Sequence, residues 1–169
     1  MSDEFVPLAE AENEVKVVTQ RLALLHLAFS RAIVDKLGWD DGKHLILDSF
    51  KLYGEYVAER TKQGHQGLPK YGFWEKREGK PPLCELGKIV LEMGEPELGA
   101  MYCLIDPAKT MAADLSEKMI HTKCMILGHD ECQFDTIPTS EDERESFKKG
   151  KDWTKVDPII DDFVRARKS

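Results

Sequence analysis

At 169 residues and 19.2 kDa the chain is one domain, large enough to bury a core, and its 41% hydrophobic and 33% charged content is ordinary for a globular protein. A net charge of −7 argues against nucleic acid or an anionic membrane as partner, and no apolar run approaches the roughly 20 residues that span a bilayer. The opening Met1-Ser2-Asp3-Glu4-Phe5 lacks the basic start and apolar core of a signal peptide, so four cysteines point to free thiols in a reducing cytoplasm, not to a disulfide framework.

Residues 8–63 form a helical half. Val15, Val18, Leu22, Leu25, Phe29 and Ala32 recur at steps of three and four, with Leu24, Ala28 and Ile33 widening the stripe. This pattern predicts a helix from Leu8 to Leu37 that stops at Gly38. About 30 residues exceeds the common range, so part of the helix is expected to reach past the core into a partner, a second copy of the chain. Asp40 or Asp41 caps a second helix with Ile46, Phe50, Tyr53 and Val57 on its stripe, fading near Gly64. The two read as an antiparallel pair.

Residues 64–84 are rich in glycine, proline and aromatics and read as a long loop, either a cover for a pocket or a connector packed on a sheet. Residues 85–138 read as β-rich. Lys88–Met93 and Leu98–Ile105 make one predicted hairpin around Gly94-Glu95-Pro96-Glu97, and a short helical piece follows Pro107. Lys118–Leu127 and Glu131–Ile137 make a second hairpin around Gly128-His129-Asp130. With a three-residue loop, Cys124 pairs with Phe134 and Ile126 with Cys132. Ile120, Thr122, Cys124 and Ile126 then share a face with Cys132, Phe134 and Thr136, leaving His121, Lys123 and Met125 on the polar side. Residues 139–169 are a polar tail, irregular from Thr139 to Lys149, ending in a short helix over Pro158–Lys168 with Ile159, Ile160, Phe163 and Val164 inward. The whole is an α+β domain, an N-terminal antiparallel helix pair on a small antiparallel sheet.

His121-x-x-Cys124 and His129-x-x-Cys132 resemble a zinc ligand set on paper. Residues three apart on a strand face opposite ways, however, so His121 and Cys124 converge only if a bulge intervenes, and no metal or other cofactor is expected. Cys84 reads as an incidental thiol and Cys124 as a small core hydrophobe. Cys103 precedes Asp106-Pro107 at the end of a predicted strand, where a carboxylate three residues from a thiol serves as base or water-orienting group. The plainer alternative for Asp106 is a cap for the element after Pro107.

The run Gly94-Glu-Pro-Glu-Leu-Gly-Ala-Met-Tyr-Cys103-Leu-Ile-Asp106-Pro, with Thr122-Lys-Cys-Met-Ile-Leu-Gly128-x-x-x-Cys132-x-Phe134, resembles the L-2-amino-thiazoline-4-carboxylic acid hydrolase family. Leu37-Gly-Trp-Asp-Asp-Gly42-Lys and Tyr53-Gly54 fit the N-terminal half of that family, and the likeness covers about residues 15–140. It implies hydrolysis of a cyclic C=N small molecule, opening a thiazoline to N-carbamoyl-cysteine. Cys103, Asp106 and Cys132 match the pattern most closely. Catalysis is expected from Cys103, Asp106 and His121, with Tyr102, Lys123, Cys132 and Phe134 holding the substrate and Lys123 meeting its carboxylate. The family pattern favours an arginine where His121 stands, which removes a bidentate carboxylate receptor. The closing Gly-x-x-x-Cys-x-Phe hairpin is also similar to the small-molecule-binding domain named after 4-vinyl reductase, which implies a pocket that binds without turnover.

Overall fold

The structure is a computed structural model that describes residues 5–64, 84–151 and 153–166. The predicted loop therefore lies, except for its end residues Gly64 and Cys84, outside the described residues. The chain is of the α+β class, with two long N-terminal helices, a two-stranded antiparallel sheet and a short C-terminal helix.

Helix α1 (Leu8–Leu37) and α2 (Trp39–Lys62) meet at Gly38, whose φ of 81° suits glycine. Residues equidistant from Gly38 touch, Val34 against Gly42 and His26 against Phe50, so the pair is an antiparallel hairpin. Asp40 and Asp41 sit in the first turn of α2, favourable to the helix dipole, but Gly38 holds the cap position.

The buried face of α1 is not the predicted stripe. Ala23, Leu27, Ser30 and Val34 are buried, whereas Val18, Leu22, Leu25 and Phe29 are exposed. The two stripes have the same period and differ by one or two positions, a rotation of roughly 100–200° about the axis. Small Ala23 and Ser30 let α1 approach its neighbours closely, leaving the larger residues outside. By length and composition alone α1 is also apolar enough to cross a membrane, with a window of mean hydropathy 1.3, against the expectation that no run comes near.

The first predicted hairpin is instead a pair of helices, α3 (Glu85–Glu92) and α4 (Pro96–Cys103). Gly94 ends α3 with φ 67°, its N–H bonded to the Leu91 carbonyl and that of Glu95 to Val90, a Schellman closure. Pro96 then opens α4 at its first position. The same Gly and Pro that suggest a hairpin turn are here a helix stop and a helix start. A Cβ on Gly99 would lie 2.1 Å from Val90 Cγ1, so the two helices touch where only glycine fits.

Helix α5 (Ile105–Ala113) includes the piece expected after Pro107 and packs on both α2 and the first strand. At its contact with α2 a Cβ on Gly54 would lie 2.6 Å from the Ala108 carbonyl oxygen. Strand β1 (Glu117–Lys123) pairs with β2 (Gln133–Pro138), and Met125–Leu127 forms a 3₁₀ turn that closes on Gly128 at φ 94°. The register pairs His121, not Cys124, with Phe134, a slip of three residues from the prediction. An odd slip exchanges the faces: His121 is buried and Thr122 exposed, while Lys118, on the face opposite His121, is buried against Glu143.

The segment expected to be irregular is helix α6 (Glu141–Lys149). It opens with a Ser140–Glu143 capping box and closes at Gly150, φ 67°. Its Phe147 stands edge-on to Trp153, ring centroids 5.6 Å apart. After a 3₁₀ turn over Trp153–Val156, helix α7 (Pro158–Ala166) packs on α4, with Ile160 and Val164 buried and Ile159 and Phe163 half-buried as predicted.

Candidate functional site

Three elements bring reactive side chains to one buried place. Helix α4 ends on Cys103, whose thiol turns inward because Leu98, Met101 and Leu104 around it are core residues. Cys103 therefore sits at a helix terminus, not at the predicted strand end. Strand β1 supplies His121 and then bulges between His121 and Lys123, which turns Cys124 to the same side. The bulge is the condition under which a histidine and a cysteine three residues apart can converge. Cys103 Sγ and Cys124 Sγ lie 3.9 Å apart, and a ring nitrogen of His121 lies within 4.8 Å of both. All three side chains are buried.

Behind the imidazole stands Asp157, the residue before α7, with no exposed surface. The His121 ring donates from Nδ1 to Asp157 Oδ2 at 2.7 Å, and the His121 backbone N–H donates to the same oxygen at 3.0 Å. This orients the ring and leaves Nε2 as the nitrogen not engaged by Asp157. Asp157 Oδ1 is buried with no hydrogen-bond partner among the described residues. The Phe134 ring packs against His121 with centroids 4.5 Å apart and is itself 45% exposed, so one side of this site borders the surface.

The other two cysteines extend the sulfur cluster outward. Cys132 interacts with Cys124 on one side and Cys84 on the other, and both Cys84 and Cys132 are half-buried. Backbone amides point at these sulfurs: Met125 N–H to Cys132 Sγ at 3.4 Å, and Gly87 N–H to Cys84 Sγ at 3.2 Å, where Cys84 caps α3. His129 takes no part; its Nδ1 lies 3.0 Å from the Cys124 carbonyl oxygen.

The thiols are held protonated. Contact with the Cys103 thiol, followed by burial, pushes Cys124 up to about 12. For Cys103 the Cys124 contact works downward, but burial and the negative charge nearby outweigh it and the thiol is raised. Contact with Cys132 is the main cause that raises Cys84, and contact with Cys124 the main one that raises Cys132. Raised thiols are poor nucleophiles at neutral pH.

Of the residues singled out from sequence, Cys103, His121, Cys132 and Phe134 gather here. Asp106 does not turn to Cys103 as a base: its carboxylate pairs with Lys109 at 2.8 Å within α5. Lys123 is engaged by Glu131 at 2.9 Å and Asp130 at 3.7 Å, and the Glu131 contact raises it. Tyr102 packs between His26 and Phe50, with centroids 5.1 and 5.9 Å away, and burial raises its hydroxyl. The pocket between Lys43, Trp153, Thr154, Asp161 and Arg165 contains none of the thiols.

Sequence reasoning missed Asp157. Asp157-Pro158 reads locally as a helix start, and nothing along the chain ties it to a histidine 36 residues earlier. The role of Cys124 was hidden by the bulge. No protein-family model, no curated protein and no solved structure matches this chain.

Proposed function

We propose that the protein is a hydrolase of a cyclic C=N small molecule of the thiazoline or amidine type, with His121 and Asp157 at its centre. The observation that carries this reading is the buried carboxylate–imidazole pair, Asp157 Oδ2 to His121 Nδ1 at 2.7 Å, with a ring nitrogen of His121 within 4.8 Å of the Cys103 and Cys124 sulfurs. A carboxylate that fixes the tautomer of a histidine makes its other nitrogen a base for water. Water then adds to the ring amidine carbon and its proton passes to Nε2. The ring C–S bond breaks, and the imidazolium returns the proton to the departing sulfur, so that substrate plus water balances N-carbamoyl-cysteine. Because burial raises Cys103, water is the better nucleophile in this scheme and the thiol a lining group. Cys132 and Phe134 border the same place from the half-buried side.

The test is a time course by liquid chromatography and mass spectrometry on L-2-aminothiazoline-4-carboxylate with the parent, His121→Gln, Asp157→Asn and Asp106→Asn. Turnover by the parent that falls in the first two variants and persists in the third supports the reading. No turnover by a folded parent discards it. That result moves a binding module of the 4-vinyl reductase type to first place, a reading favoured by the raised state of all four thiols.

We also propose that the exposed stripe of α1 packs against a second copy of the chain. Val18, Leu22, Leu25 and Phe29 step by four, three and four residues, the spacing that interlocks helices, and each is at least 44% exposed.

A further inference from the structure

We infer that Cys103, Cys124 and His121 are the ligands of a zinc-type divalent cation, with Asp157 orienting the imidazole from behind. The inference goes beyond the hydrolase reading and stands without it.

Distances carry the first part of the argument. A tetrahedral zinc with sulfur ligands at about 2.3 Å sets its sulfurs about 3.8 Å apart. The Cys103 and Cys124 sulfurs are 3.9 Å apart before any ion is added. A nitrogen at about 2.0 Å belongs roughly 3.5 Å from each sulfur, and the His121 nitrogen, within 4.8 Å of both, needs to move by little more than an ångström. Two thiols at this distance also make an ordinary S–H···S contact, so the sulfur pair alone argues nothing. The imidazole that completes the triangle, and the carboxylate behind it, are what distinguish the place.

That carboxylate is the second part. A histidine that binds a metal nearly always donates its other ring N–H to a carboxylate, a carbonyl or water. Here Nδ1–H is given to Asp157, and Nε2 is the nitrogen left for the ion. Asp157 is fully buried and one of its oxygens has no partner among the described residues. Two thiolates neutralise a divalent ion, so the centre itself acquires no net charge on binding.

Chemistry selects the ion. Two soft thiolates and an imidazole in a tetrahedral arrangement suit zinc rather than magnesium or calcium, which want oxygen. Binding releases the two thiol protons, so affinity rises with pH. Three protein ligands would leave a fourth position open, the coordination of a catalytic site. With an ion bound, the His121 imidazole would serve as ligand and not as base, and activation of water would be the chemistry the ion supplies.

The experiment is a titration of chelator-stripped, reduced protein with cobalt(II), followed by displacement with zinc(II). One cobalt per chain with thiolate-to-cobalt charge-transfer absorption, displaced by one zinc, is expected. Cys103→Ser and Cys124→Ser should each remove about half of that absorption, since each removes one of two thiolates. Asp157→Asn should weaken zinc binding roughly 10- to 100-fold while keeping the cobalt spectrum. Cys84→Ser should change neither. A folded parent without the charge-transfer band overturns the inference, as does a band that keeps full intensity in both serine variants. Should those variants fail to fold, the parent spectrum and the Asp157→Asn affinity decide. Thiazoline turnover measured on the same samples separates the two readings. Stoichiometric thiolate-bound metal without turnover keeps the ion and discards the hydrolase. Undiminished turnover in a parent that shows no cobalt–thiolate band keeps the hydrolase and discards the ion.

Discussion

Two of the described histidines are packed into the fold, His121 buried and His26 half-buried, and their surroundings differ in kind. His26, on α1, donates from Nε2 to the Leu98 carbonyl at 2.8 Å and accepts at Nδ1 from the Ser30 hydroxyl at 3.3 Å. Phe50 and Tyr102 cover its ring, and burial holds it below the usual histidine range. Both nitrogens are spent on the fold. His121 uses one nitrogen on a buried carboxylate, keeps the other without a hydrogen-bond partner among the described residues, and sits with its ring close to two thiols. Burial of a histidine therefore says little about function; what matters is whether a nitrogen remains and what faces it.

The sharpest way to break this contrast is to remove each histidine in turn. His121→Gln and Asp157→Asn should lower turnover of a thiazoline substrate by about 10²–10⁴-fold, the usual range for loss of a positioned acid or base. Asp106→Asn should stay within a few-fold of the parent, because its carboxylate is tied to Lys109. His26→Gln should lower the thermal midpoint and leave the rate per folded molecule unchanged. A larger rate loss at His26 than at His121 would reverse the assignment of the two regions.

The helix contacts that bring the two regions together come next in size. Gly54→Ala places a methyl group against the Ala108 backbone, which cannot yield as a side chain would, and should cost about 1–3 kcal/mol in urea unfolding. Ser140→Ala removes the capping box of α6 and should cost about 1 kcal/mol.

In the metal-free protein the two regions should fail at opposite ends of the pH scale. His26 is lowered by folding, so its contribution is present above the unfolded value of 6.5 and is lost as pH falls below it. Cys124 is raised, so its contribution is present below 9.0 and is lost as pH climbs toward about 12. Chemical unfolding across pH should show both slopes, with His26→Gln flattening the acid limb and Cys124→Ala the alkaline one. Smallest in stability terms is Phe29→Glu on the exposed stripe of α1. It should leave the unfolding free energy within about 0.5 kcal/mol, as for other surface changes, yet shift a dimer to monomer in light scattering.

Long-period signals were legible in the chain. The apolar repeat from Val15 to Ala32 and the glycine at 38 delimit α1 to the residue. The α+β class, the two-stranded hairpin near the C-terminal third and the final helix follow from the same kind of reading. Short elements were not. Ile89 and Val90 have strand propensity, and eight-residue helices offer too few turns for a period to outweigh it. The polar α6 hid its Ser140-x-x-Glu143 signature in a run of charge.

For the site, spacing along the chain singled out Cys103 with Asp106, and the family resemblance added His121, Cys132 and Phe134; of these the structure leaves Asp106 aside, paired with Lys109. The sequence could not choose their partners. One bulged residue after His121 decides that Cys124 joins the histidine, and a three-residue register slip decides that His121 faces inward. Packing of α7 against α4 brings Asp157 to the imidazole across 36 residues. Local propensity speaks for neighbours within a turn or two. Register, bulge and the docking of one helix end depend on the summed burial of the whole core, and only the tertiary structure decides them.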